Sequence, residues 1–256
     1  MSNEDAATAP AAIRFLHHPT SQPCRAVHQL MLENDIPFEE VIVNLMDGEN
    51  ETAVFKATYN PTGQVPILVD GDFNVWESAA IGFYLNERFD LPGNWLGRDM
   101  RQRAVIQQYT HFHSTMLRRG AGAFFYTRFA ECIWGPRDYS AEIAMGRYML
   151  AQSMPIMEEW LGRHAYLYGD EISFADLLAC HEFVSHEAGA IIPDEEWAKF
   201  PRLRAWFEGL MTRPHAQAVS TMIMEVGAMR QAGQLIPMTR RTSLAKGTSV
   251  TPGLPA

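Results

Sequence analysis

With 256 residues, 47% hydrophobic and 20% charged, the chain can bury one large core or two modest ones. A formal net charge of −9 argues against nucleic acid or an anionic membrane surface as a main partner. The cysteines, Cys24, Cys132 and Cys180, are odd in number and include no Cys-x-x-Cys pair, which argues against a disulfide framework or a zinc site and favours a reducing cytoplasm.

Met1 to Ala12 is an Ala-rich polar leader carrying Glu4 and Asp5 without a basic cluster, so it does not read as a signal peptide. Ile13 to His17 reads as a strand. Pro23 suits the first turn of a helix whose apolar stripe is Ala26, Val27, Leu30 and Met31, and which Asn34 to Pro37 ends. Phe38 to Leu45 is a second strand, and a right-handed crossover makes the two parallel. Met46 to Tyr59 is polar, with a short helix around Thr52 to Ala57. Ile67 to Val69 and Phe73 to Trp76 flank Asp70-Gly71-Asp72, a hairpin signal. Val65-Pro66 stands just before the first of these strands, where a cis bond can fix a turn. Glu77-Ser78 opens an apolar helix, with Ser78 as N-cap and free N–H groups open to an anion.

After the linker Phe89 to Asn94 the strand signals stop. Asp99 to about Phe129 reads as one long amphipathic helix with Tyr109, Phe112, Met116 and Leu117 on apolar spacings, broken at Gly135-Pro136. Ala141 to Leu161 is helical, with a kink expected at Pro155. Ser173 and Asp176 have capping-box spacing ahead of Leu177-Leu178-Ala179. A further helix runs from Phe200-Pro201 to Leu210 and ends near Pro214, and Arg240 to Ala256 reads as a loose tail. No apolar run approaches the roughly 18 residues that span a bilayer. The expected architecture is an α/β domain of order βαβαββα followed by an all-α domain. The boundaries fall at residues 12–89, 95–236 and, for the tail, 237–256.

Four motifs taken together resemble the glutathione transferase superfamily, and specifically its theta class: Ser21-Gln22-Pro23-Cys24-Arg25, Asn34-Asp35-Ile36-Pro37, Val65-Pro66 and Glu77-Ser78. The blocks Asn60 to Asp70 and His181 to Gly189 resemble bacterial members that dehalogenate dichloromethane, and the likeness runs in blocks from Arg14 to Ser220. The resemblance implies a thioredoxin-like glutathione-binding domain and a helical domain that receives a small hydrophobic electrophile such as a haloalkane. It also implies a homodimer. Thiolate displacement of halide from dichloromethane then yields formaldehyde, with glutathione returned as if it were a cofactor. General theta-type conjugation of epoxides or other electrophiles, and a glutathione-binding module without turnover, stay open as alternatives.

Site residues follow from the same resemblance. On residue chemistry alone a serine at Ser21 more commonly caps a helix. The resemblance implies instead that its hydroxyl stabilises the glutathione thiolate, the nucleophilic form of a thiol that is mostly protonated near neutrality. The dipole of the helix starting near Pro23 would assist it. Ser78 would hold the γ-glutamyl carboxylate and Glu77 the ammonium. Val65 would pair its backbone with the cysteinyl unit, presented by Pro66. Asn50 and Gln64 stand near the glycyl carboxylate, where theta relatives often carry basic residues. Arg118 would face the thiolate or a leaving halide, with an exposed, solvated arginine as the other reading.

Cys24 lacks the first cysteine of a redox pair and reads as a small buried residue. His17, His18, His111 and His113 suggest a metal, but His111 and His113 point to different helix sides and no carboxylate-histidine pattern completes a site. No metal is therefore expected. The aromatics Phe124, Phe125, Tyr126, Phe129 and Trp134 could line the electrophile pocket, although such a cluster is more often plain core.

Overall fold

The computed structural model describes residues 13–120, 122 and 137–232. The first half runs β1 (Ile13–His17), α1 (Gln22–Glu33), β2 (Phe38–Ile42), a 3-10 turn (Glu49–Glu51), α2 (Ala53–Thr58), β3 (Ile67–Asp70), β4 (Phe73–Trp76) and α3 (Ser78–Phe89). This is the expected βαβαββα order. The four strands form one sheet in the order β2-β1-β3-β4, with β1 and β2 parallel and the other pairs antiparallel.

Two local readings need correction. The strand at β2 stops at Ile42 rather than Leu45, because the Leu45 N–H folds back onto the Val43 carbonyl (2.9 Å). Ser78 is the first helical residue of α3 and not its N-cap. Glu77 takes that place with φ of 72° and offers no side-chain cap.

The second half is helical throughout its regular elements: α4 (Met100–Phe112), α5 (Ser140–Leu161), α6 (Phe174–Gly189), α7 (Asp194–Trp197), α8 (Pro201–Met211) and α9 (Pro214–Gln231). Asp99 caps α4 by accepting from the Arg101 and Gln102 N–H groups. The regular helix expected from Asp99 loses its register at His113–Leu117, a π-helical segment that buries His113 and Leu117 and delivers Arg118 directly after it. α5 passes through Pro155, which has no N–H to donate to the preceding turn. Pro214 opens α9 as well as closing what precedes it, since a proline costs nothing in the first helical turn. The expected break at Gly135-Pro136, the aromatics Phe124, Phe125, Tyr126, Phe129 and Trp134, Cys132, and residues 237–256 lie outside the described residues.

One apolar core joins the two halves. Phe15, Val27, Leu30 and Ile81 belong to the same buried cluster as Phe174, Leu178, Phe183 and Phe207. The opposite face of the sheet has a smaller core of Leu16, Val43, Phe55, Ile67 and Val69. α1 lies on α6, and α3 comes so close that a Cβ added at Gly82 would sit 2.3 Å from the Phe174 ring. Asp176 closes the N-terminus of α6. Its Oδ2 accepts from the Ser173 N–H (2.9 Å) and hydroxyl (2.7 Å), and its Oδ1 from the Leu167 N–H (3.0 Å) and the Trp206 indole (2.9 Å). Burial pushes this carboxyl above the usual range against those four donors.

Candidate active site

Ser21 sits at the N-cap of α1 in extended conformation, half-buried, and its side chain does not cap the helix. The capping alternative therefore finds no hydrogen bond. Its N–H closes a tight turn onto the His18 carbonyl (2.9 Å), and His18 Nδ1 lies 2.7 Å from the Thr20 hydroxyl oxygen. Arg25, one turn into α1, is the brace of this loop. One guanidinium nitrogen donates to the Thr20 carbonyl (2.8 Å) and reaches the Pro19 carbonyl (3.4 Å). The other donates to the His181 carbonyl (3.0 Å) and the Ser185 hydroxyl (2.7 Å) on α6. Burial brings Arg25 down to about 10, still cationic at neutral pH. Cys24 is fully buried, and burial pushes its thiol up to about 11 although the Ser21 hydroxyl favours its charged form. It is an inert core thiol, as its spacing suggested.

Arg118 crosses from the helical half to the first turn of α1. Its guanidinium lies 3.3 Å from Gln22 Oε1 and 3.3 Å from each Glu182 oxygen, with the side chain 45% exposed. Glu182 is wholly buried, and His113 Nε2 stands 3.0 Å away. Burial raises the Glu182 carboxyl, but the Arg118 charge and His113 outweigh it and hold it below its ordinary value. Arg118 is thus partly solvated, partly paired, and anchored beside the helix that starts at Ser21.

The Val65-Pro66 peptide is cis, and Pro66 is buried while Val65 packs on the smaller core. The turn before it is built by Asn60, which is buried. Its Nδ2 donates to the Gln64 carbonyl (2.8 Å), and its Oδ1 accepts from the Thr62 N–H (3.0 Å) and hydroxyl (2.9 Å). Asn50 Nδ2 donates to the carbonyl of Gly63 (2.7 Å), the residue next to the exposed Gln64. Lys56 on α2 joins them: its side chain lies beside Gly63, where φ is +67°, and its ammonium pairs with Glu51 at 2.8 Å. Glu77 is exposed and Ser78 half-buried at the start of α3. The structure brings Ser21, Gln22 and Arg118 together at one helix end, and Asn50, Gly63 and Gln64 at another loop. Sequence reasoning missed Arg25, Asn60 and Lys56. Only Asn60 had a local signal, an Asn-Pro-Thr turn.

A family model of the glutathione S-transferase N-terminal domain matches residues 11–87, and one of the C-terminal domain matches residues 131–214. A dichloromethane dehalogenase of Methylophilus leisingeri is 48% identical over 244 residues, covering 94% of this chain and 91% of that protein. The chain belongs to the glutathione S-transferase family. A dichloromethane dehalogenase of Methylorubrum extorquens is likewise 48% identical over 248 residues, covering 94% and 86%. Human glutathione S-transferase theta-1 is 37% identical over 172 residues, covering 66% and 71%. Among solved structures, the apo form of human glutathione S-transferase T1-1 superposes with a TM-score of 0.75 at 28% identity, covering 85% of this chain and 91% of that one. A human theta-class transferase in complex with the glutathione conjugate of 1-menaphthyl sulfate gives 0.77 at 25%, covering 89% and 95%. The thioredoxin-like first half and helical second half are those of this glutathione transferase fold.

Proposed function

We propose that this theta-type transferase is a glutathione-dependent dehalogenase of small haloalkanes, with dichloromethane as substrate. The observation that carries the reading is the 48% identity to two dichloromethane dehalogenases through both halves of the chain. Glutathione lies along the cis-Pro66 loop, its cysteinyl unit pairing with the Val65 backbone as an added strand would. Ser78 and the first N–H groups of α3 hold the γ-glutamyl carboxylate, and Glu77 the ammonium. Asn50, Gln64 and the neighbouring Lys56 serve the glycyl carboxylate, so Lys56 supplies the positive charge that the two amides lack.

The Ser21 hydroxyl, which does not cap the helix, donates to the thiolate and lowers the thiol pKa. The N-terminal dipole of α1 acts in the same direction. The sulfur attacks the carbon in line, a C–S bond forms as a C–Cl bond breaks, and chloride leaves beside the Arg118 cation. Water displaces the second chloride from S-chloromethylglutathione, and the hydroxymethyl adduct releases formaldehyde and regenerates glutathione, so glutathione acts as a cofactor over the cycle. The working form is a homodimer in the cytoplasm.

The test is chloride and formaldehyde release from dichloromethane with and without glutathione, in the natural chain and in Ser21→Ala. The expected result is glutathione-dependent release, reduced about a hundredfold or more by the substitution, with an unchanged circular dichroism spectrum. Unchanged release in the variant would remove Ser21 from the mechanism. Conjugation of epoxides without halide release would return the chain to general theta-type transfer.

A further inference from the structure

Three side chains that the transferase reaction leaves unused converge on the sheet face that carries Phe15, beside α1. His17 ends β1 with only 1% of its surface exposed, His28 comes from the middle of α1, and Glu40 comes from β2. The parallel register pairs Glu40 with Phe15, so Glu40 projects on the same sheet face as Phe15 and His17. Among the described residues, one nitrogen of each imidazole and one Glu40 oxygen all lie within 4.8 Å of one another. His17 Nε2 is 2.8 Å from Glu40 Oε1.

We propose that His17, His28 and Glu40 bind one borderline-soft divalent metal ion, with zinc(II) the best fit. Two imidazoles and one carboxylate form a nitrogen and oxygen donor set that suits zinc, cobalt, nickel or copper and is poorly matched to magnesium or calcium. Metal bonds of about 2.0–2.1 Å in a tetrahedron set donors roughly 3.4 Å apart. The present spacing therefore needs only a small inward movement, and Glu40, 49% exposed, is free to make it. The exposed Glu40 side also provides an entry path and leaves a fourth position to water.

The rings are already held in place. Phe15 stacks on His17 with centroids 4.5 Å apart, His28 stands edge-on to His17 at 5.0 Å, and Phe38 meets His28 edge-on at 5.4 Å. Burial lowers His17 to about 4 and lowers His28 as well, so both present neutral imidazoles at neutral pH. A core histidine satisfied by its neighbours is the plain alternative. In that alternative His17 is satisfied through Nε2 and Glu40 alone, since its Nδ1 is buried without a hydrogen-bond partner. No local carboxylate-histidine pattern marks the cluster in the sequence, because Glu40 lies 23 residues from His17 and meets it through the sheet.

The experiment uses the full chain, stripped with a chelator and kept free of glutathione, whose thiol would compete for the metal. Zinc chloride is titrated calorimetrically into the natural chain, Glu40→Gln, His28→Asn and the double variant, and cobalt(II) is titrated with visible absorption. Glu40 is exposed and the His28 variant keeps a polar group, and circular dichroism checks that each folds. The expected result is one zinc per chain, bound at least tenfold more weakly by each single variant and not saturably by the double one. Cobalt should give d–d bands without a thiolate charge-transfer band. No saturable zinc binding, equal affinity in the double variant, or a thiolate band from the cysteines would each overturn the assignment.

Discussion

Arg25 shows how a buried charge can be used to shape the loop that carries Ser21. Among the described residues its guanidinium hydrogen-bonds no carboxylate and instead donates to carbonyls of Pro19, Thr20 and His181 and to the Ser185 hydroxyl. The buried cation keeps its charge because the nearby Glu182 carboxylate favours it and oriented dipoles replace part of its lost hydration. Removing it would leave buried acceptors on both sides of the interface unpaired, at about 1–3 kcal/mol each in the usual range. We expect Arg25→Met to lose about 3 kcal/mol or more of stability in urea unfolding. Arg25→Lys should recover only part of it, since an ammonium cannot reach two loops at once. A loss below about 0.5 kcal/mol, the usual limit for a surface site, would mean that the loop before Ser21 is held by other contacts.

Between elements, a long-range ion pair ties α1 to the start of α9. Arg213 donates to both oxygens of Glu33, at 2.9 and 2.5 Å, and Gln29 adds a third donor at 3.1 Å. Burial pushes the Glu33 carboxyl up, but these hydrogen bonds and the Arg213 charge pull it below its ordinary value. Because the folded pKa is depressed, the stabilisation is fully present above the unfolded value, about 4.3, and is lost as pH falls through the lower folded value. The stability difference between the natural chain and Arg213→Gln should therefore be largest near neutrality and shrink below about pH 4.3. Denaturant titrations at several pH values read this directly, and a difference independent of pH would exclude the pair as its source. This pair was not visible in the sequence, where its members stand 180 residues apart. What could be read was local: the Asp-Gly-Asp hairpin, the helix after Thr52, and the Ser173 to Asp176 cap all carry their cause within four residues. Pro214 misled because a proline is equally a stop for one helix and a first-turn residue for the next. The π-helical segment ahead of Arg118 likewise has no sequence signature, since what buries His113 is Glu182 on another helix.

For the molecule as a whole, the proposed catalytic arrangement depends on both halves at once. Ser21 stands on a loop braced from α6, and Arg118 reaches α1 from the helical half, so neither half alone sets the geometry. The core makes the same point, since Phe15, Leu30 and Ile81 are packed in one cluster with Phe174 and Leu178. Separate domains would be expected to meet through a smaller, more polar surface and to unfold independently. Here α1 and α3 both meet α6 through apolar side chains, α3 closely fitted where Gly82 faces Phe174, and α1 tied across by buried hydrogen bonds from Gln22 and Arg25. The two halves should therefore unfold in a single cooperative transition. Helical signal in the far ultraviolet should fall together with tryptophan fluorescence, and the natural chain and Gly82→Val should differ in midpoint without separating the two curves. The substitution would drive a branched side chain into the Phe174 ring, destabilising by roughly 1–3 kcal/mol or more through overpacking. If the variant instead unfolds in two steps, with the helical signal outlasting the first, the halves are independent and Ser21 is positioned by its own domain alone.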